Sequence, residues 1–191
     1  VEEHRQDKNN DSTIVSWKHR RFQFLLQDRY HVIYLMDVTE FDNIKARYHN
    51  ERVFIGEIYL DNYVELVQGM SDSDASNLHN YVTSELSKWA KVNHLMLKVI
   101  DDDNYLIVGY QYSLESLEKK KFKVLDVIRK NTTKQNSPVT LSVGIAYGEN
   151  NLTKLANTAQ HNLDLALGRG GDQVVVRAEN GQARFYGGKT N

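Results

Sequence analysis

The residues here best suited to chemistry are Asp101, Asp102 and Asp103, a run of three carboxylates followed by the amide of Asn104. Adjacent carboxylates repel one another, and they stay ionised together only in open water, beside a cation, or beside a positively charged neighbour. Asp and Asn also bond their own backbone and tolerate turn geometry. The apolar, β-rich runs on either side, residues 95–100 and 105–110, therefore read as the two strands of a hairpin with the acidic cluster at its turn. On turn chemistry alone the plainest reading is a solvated turn. The other reading is the residue of an active site.

The 191 residues are enough to bury a good core, and a domain of about 100–150 residues leaves a remainder to be explained. The formal net charge is -1, so no global basic field points to nucleic acid or a membrane surface. The absence of Cys removes disulfides, thiolate catalysis and Cys-based zinc or iron sites, and is compatible with a reducing compartment. No apolar run is long enough to span a bilayer, and no signal peptide stands at the start. The expectation is a soluble, cytoplasmic piece with no membrane insertion of its own. A start at Val1 and an ending in Gly187, Gly188, Lys189, Thr190 and Asn191 make it look excised from something longer.

The elements that must position the hairpin follow in order. A turn cluster, Asn9 to Ser12, precedes a run from Thr13 to Lys18, and residues 21–27 and 31–36 read as two more strands joined across Asp28 and Arg29. These form a three-stranded antiparallel meander, less than a self-sufficient core requires. Thr39 and Asp42 resemble a capping box opening a helix from Glu40 to about Arg52, with Phe41, Ile44 and Tyr48 spaced to pack. Residues 53–60 read as a strand. Asp72 or Asp74 caps a helix over residues 75–92 with Leu78, Val82, Leu86 and Trp89 on one face. After the hairpin come a helix over residues 114–130, with Lys119, Lys120 and Lys121 as a solvated face, and a strand over 139–146. A helix over 152–167, a strand over 173–178 and a short strand at 183–186 complete the chain. The order β-α-β-β-α-β-α-β predicts an α+β fold, a mixed sheet with helices packed on it.

Ser142-Val143-Gly144-Ile145-Ala146, then a helix, then Ala166, Gly170, Asp172, Gln173 and Val174, resembles the end of a GGDEF (diguanylate cyclase) domain. Residues 60–63 stand where such a domain carries D-x-D-x-F, and the acidic hairpin where it carries its signature. The resemblance covers residues 53 to about 176, and the wording of the hairpin and of residues 163–174 resembles the degenerate GGDEF domain of GdpP/YybT-type cyclic-di-AMP phosphodiesterases. It implies a GGDEF-like sheet of βααββαβ type over 53–186. It also implies the last strands of a PAS sensor over 1–38, a linker helix over 39–52, and the start of a linker at 187–191.

Departures from the cyclase pattern are as telling as the matches. The signature glycines become Asp101 and Asp102, its Asp is kept as Asp103, its Glu becomes Asn104, and its aromatic is Tyr105. The leading Asp of D-x-D is Tyr59 and the second is Asp61; the phosphate-facing Lys is Leu167, and the Asn after the aromatic is Val67. The product-inhibition Arg and Asp are Val92 and Leu95. Both cation-holding positions lack charge, so the expectation is no diguanylate cyclase activity. Asp61, Asp101, Asp102 and Asp103 are expected to gather a Mg²⁺ between strand and hairpin, and the resemblance implies a nucleotide site there, with Asn104, that holds ATP loosely or hydrolyses it slowly. Asp61 and Asp103 are the candidates for that residual ATPase. A regulatory module, possible self-association, and a pure interaction scaffold stand beside this reading.

The resemblance further implies a parent in the cell membrane, with two transmembrane helices before this piece and a DHH-type phosphodiesterase domain after it that hydrolyses cyclic-di-AMP. Haem is associated with the full PAS domain of such parents and is not expected here. Residues 187–190 mimic the end of a phosphate-binding loop, but Ala183 replaces its first glycine and no helix follows, so the motif lacks its mechanism.

Overall fold

A computed structural model of the chain describes residues 13–134, 138–178 and 181–188. It divides into two units, Val1–His49 and Asn50–Asn191. The expected turn at Asn9 to Ser12, Asn180 of the last turn, and Lys189 and Thr190 of the loop-like motif lie outside the described residues.

In the first unit, β1 (Thr13–Trp17), β2 (Arg20–Gln27) and β3 (Val32–Asp37) form the expected antiparallel meander. A 3-10 turn, Asp28–Tyr30, joins β2 to β3. No strand residue in it is buried. Helix α1 (Thr39–Asn50) follows, but its start corrects the expected capping box. The Thr39 hydroxyl turns back to the sheet, accepting the Arg21 N–H at 2.7 Å and donating to Asp37 Oδ1 at 2.6 Å. Asp37 takes over the capping, accepting the Thr39 N–H at 3.0 Å. These bonds, with Arg20 nearby, hold its carboxyl below the usual range. Asp42 instead pairs with Arg21 at 3.2 Å. Phe41, Ile44 and Tyr48, expected to pack, are exposed.

The second unit runs β4 (Val53–Leu60), α2 (Tyr63–Gln68), α3 (Asp72–Val92), β5 (Met96–Val99), β6 (Asn104–Tyr110), α4 (Gln111–Lys119), α5 (Val124–Thr133), β7 (Leu141–Tyr147), α6 (Leu152–Gly168), β8 (Gln173–Ala178) and β9 (Arg184–Gly187). The sheet order is β5-β6-β4-β7-β8-β9, with β7 and β8 parallel and the other pairs antiparallel. This is the mixed sheet that the element order predicts. Alternation along β4 sends Phe54, Ile58 and Leu60 into a large core with α3, α4 and α5. Ile55 goes to a smaller cluster with Leu155 and Ala159 of α6 on the opposite face. Gly144 lets α6 sit directly on the sheet: a Cβ there would lie 2.1 Å from the Leu163 nitrogen and 2.2 Å from the Ala159 carbonyl oxygen.

Three element expectations need correction. The single helix over 114–130 is two helices, because Lys121 and Phe122 adopt left-handed backbone (φ 51 and 47) and Phe122 turns into the core. The cap of α3 is Ser71, which accepts the Asp74 N–H at 3.2 Å while donating its hydroxyl to the Asp74 carboxylate at 2.7 Å. Helix α2 is the first of the two helices that the βααββαβ resemblance implies, and the residue pattern alone does not place it because six residues are too few to display a period.

Candidate functional site

Four chain segments meet at one end of this sheet: the tip of β4, the turn between β5 and β6, the entry to β7, and the turn after α6. The Leu60 N–H donates to the Asp103 carbonyl at 2.9 Å, and the Asp61 N–H donates to the Thr140 carbonyl at 3.0 Å. Backbone pairing thus fixes the acidic turn beside the end of β4, as the hairpin reading requires.

The side chains then diverge. The Asp103 carboxylate accepts the Asn104 amide at 2.8 Å and the Tyr59 hydroxyl. Burial, then the Asp103 charge, push the Tyr59 phenol up. Asp61 points elsewhere: its Oδ2 accepts the Thr140 hydroxyl at 2.8 Å and the Asp172 N–H at 2.9 Å. Gly171 (φ +72) makes room for it, since a Cβ there would lie 2.7 Å from the same oxygen. Asp172 is buried and paired with Arg129, which also pairs with Asp126. Burial pushes the Asp172 carboxyl up, against the pull of Arg129.

Asp102 sits on the α3 side. Its carbonyl is 3.1 Å from His79 Nδ1, and it lines a cavity of about 410 Å³ with Tyr63, Val67, Asp72 and His79. An adjoining cavity of about 550 Å³ is lined by Tyr63, Val64, Val67, Val99 and Ile100 with all three turn aspartates. On the other face of the sheet, Tyr59, Asn104 and Leu167 line one groove of about 540 Å³, together with Glu57, Leu106, Gln160 and Leu163.

The structure therefore brings Asp101, Asp102 and Asp103 to one turn and ties Asp103 to Asn104, but it does not add Asp61 to them. Among the described residues, no three His, Asp or Glu side chains are grouped to hold a metal ion. A Mg²⁺ held by protein oxygens alone does not fit this arrangement. The three positions that the resemblance sets against a cyclase's metal and phosphate ligands, Tyr59, Asn104 and Leu167, line one groove and carry no charge themselves.

Sequence reasoning missed Thr140, His79, Arg129 and Glu57. Only Glu57 carried a readable signal: it is two residues before Tyr59 on a strand, hence on the same face. The partners of Thr140 and Arg129 lie 79 and 43 residues away, and no local pattern announces them.

A family model described as "Cyclic-di-AMP phosphodiesterase GdpP-like, GGDEF domain" matches residues 58–185. The chain is 45% identical over 185 residues to Cyclic-di-AMP phosphodiesterase PdeA of Listeria monocytogenes, covering 96% of this chain and 28% of that protein. It is 41% identical over 181 residues to Cyclic-di-AMP phosphodiesterase GdpP of Geobacillus thermodenitrificans, covering 95% and 28%. The chain thus spans under a third of those relatives' length. Among solved structures, the GGDEF domain of DgcB from Caulobacter crescentus matches with a TM-score of 0.55 at 12% identity, over 72% of this chain and 88% of that one. The GGEEF domain of a diguanylate cyclase from Vibrio cholerae matches with a TM-score of 0.54 at 13% identity, over 70% and 88%. At those identities the two structures bear on the fold alone.

Proposed function

This chain belongs to the GGDEF-domain family of GdpP-like cyclic-di-AMP phosphodiesterases, and from that premise we propose that it is the regulatory portion of such an enzyme and has no diguanylate cyclase activity. One observation carries the second half of this reading: Tyr59, Asn104 and Leu167 share a groove in which a cyclase would need carboxylates for a metal and a lysine for phosphate. Phosphoryl transfer depends on positioning and on charge supplied where charge develops. A phenol, an amide and an isobutyl group supply none. The parent's hydrolysis of cyclic-di-AMP then belongs to a DHH-type domain beyond this chain, the parent to the cell membrane, and the meander of the first unit to a PAS sensor.

The test is to incubate the purified chain with GTP and Mg²⁺ and to look for cyclic-di-GMP by chromatography. None is expected, and none from an Asn104→Glu variant, because Tyr59 and Leu167 remain. Cyclic-di-GMP from the unaltered chain would sink the reading. For the regulatory half, the parent enzyme is assayed on cyclic-di-AMP with and without Tyr105→Ala, which hollows the core behind the hairpin. Altered turnover with an intact phosphodiesterase domain is the expected result.

A second reading is favoured by the cavity of about 550 Å³, whose apolar floor and aspartate rim suit a base and its metal-bound phosphates. In it the domain holds ATP and hydrolyses it slowly, with the Mg²⁺ arriving on the nucleotide. Phosphate release from ATP with and without Mg²⁺, beside Asp103→Ala, distinguishes the two; release that persists in the variant removes the second reading.

A further inference from the structure

The geometry points to a binding site for a small organic cation, an alkylammonium or alkylguanidinium group on an apolar stem, in the groove between α6 and the sheet. Among the described residues, Glu57 is the one charged residue in its lining. Alternation along β4 puts Glu57 on the α6 side, opposite Leu106 of β6 and Gly144 of β7 in register. Its half-buried carboxyl has no hydrogen-bond or ion-pair partner among the described residues. The charge that acts on it is another carboxylate, Asp164 of α6, which accepts the Gln160 amide at 3.2 Å. Lys98 stands on the same row of the sheet, opposite Leu106, yet it is exposed and pairs with neither.

A carboxylate left without a partner in an apolar setting is costly, and a bound cation removes that cost. The rest of the lining completes the recognition. Tyr59 supplies an aromatic ring, held by its hydroxyl on Asp103, against which a cation is attracted. Leu106, Leu163 and Leu167 offer walls for a hydrocarbon stem. The volume of about 540 Å³ lies in the range of small-molecule sites. Polyphosphate is disfavoured there, because Glu57 in the lining and Asp164 acting on it are both negative and Leu167 offers no counter-charge. The groove therefore favours a cation over an anion. This inference does not depend on the regulatory reading.

The experiment is an amide-resolved NMR titration of the full 191-residue chain with three probes: agmatine, 1-butanol as the uncharged stem, and inorganic tripolyphosphate. Agmatine is expected to give saturable shifts at residues 57, 59, 104, 163 and 167, and the other two probes none there. Glu57→Gln is expected to weaken agmatine by about tenfold or more, and Asp164→Asn, at an exposed position, to weaken it by less. Leu167→Lys, which builds a cation into the groove, is expected to abolish saturation while the remaining spectrum stays folded. Absent or unsaturable shifts with agmatine, equal affinity in Glu57→Gln, or displacement of agmatine by tripolyphosphate would each overturn the proposal.

Discussion

At the scale of single residues, Glu57 is the carboxyl whose environment is least balanced. Burial, then the neighbouring Asp164, push it up from the ordinary value of 4.5. The sign follows from linkage: the folded state holds the proton more tightly than the unfolded chain. Stability attached to this group is therefore full at low pH and is lost as pH rises through the folded value. Replacing the carboxyl by an amide removes that loss. Glu57→Gln is expected to raise the melting temperature at neutral pH by about 2 °C and to leave it unchanged below the ordinary value of 4.5. Melting curves at the two pH values check this, and an equal gain at both would show that packing, not charge, is responsible.

The secondary elements show where sequence reasoning succeeds and where it stops. The hairpin, β4, α6 and β8 are legible because each carries a long apolar pattern of one period, and the motif over 142–146 contains the glycine on which α6 rests. The break between α4 and α5 was not legible. Lys119, Lys120 and Lys121 are good helix formers, and nothing local predicts left-handed backbone at Lys121 and Phe122. Tertiary packing decides it: Phe122, 2% exposed, lies against Tyr186 of β9 with ring centroids 5.3 Å apart. Phe122→Ala is expected to cost about 3–5 kcal/mol. Lys121→Gly, at an exposed site that already pays for its conformation, is expected to gain up to about 1 kcal/mol. Urea denaturation of both variants tests the assignment. A stabilising Phe122→Ala would mean that the turn, not the aromatic, holds the helices apart. The candidate site was half legible for a similar reason. The acidic turn and its pairing with β4 are local, whereas the capture of Asp61 by Thr140 and Asp172 is a product of topology.

For the whole molecule, the two units differ in what holds them. The second has a continuous core on one face of its sheet and a smaller one on the other. The first has strands with no buried residue, and Val38 is its one buried apolar side chain among the described residues. Hydrophobic burial is the dominant favourable term in folding, so residues 50–191 are expected to fold alone and residues 1–49 are not. Near-UV circular dichroism of the two fragments checks this, and a cooperative melt from residues 1–49 would refute it. Within the second unit, Asp172 has a further consequence. Its N–H is held by the Asp61 carboxylate at the tip of β4, and its carbonyl accepts the Gly188 N–H at 2.8 Å, where the chain leaves β9. One residue is therefore a knuckle shared by two levers. Displacement of the tip of β4 and displacement of the end of β9 would thus both be borne by this single residue.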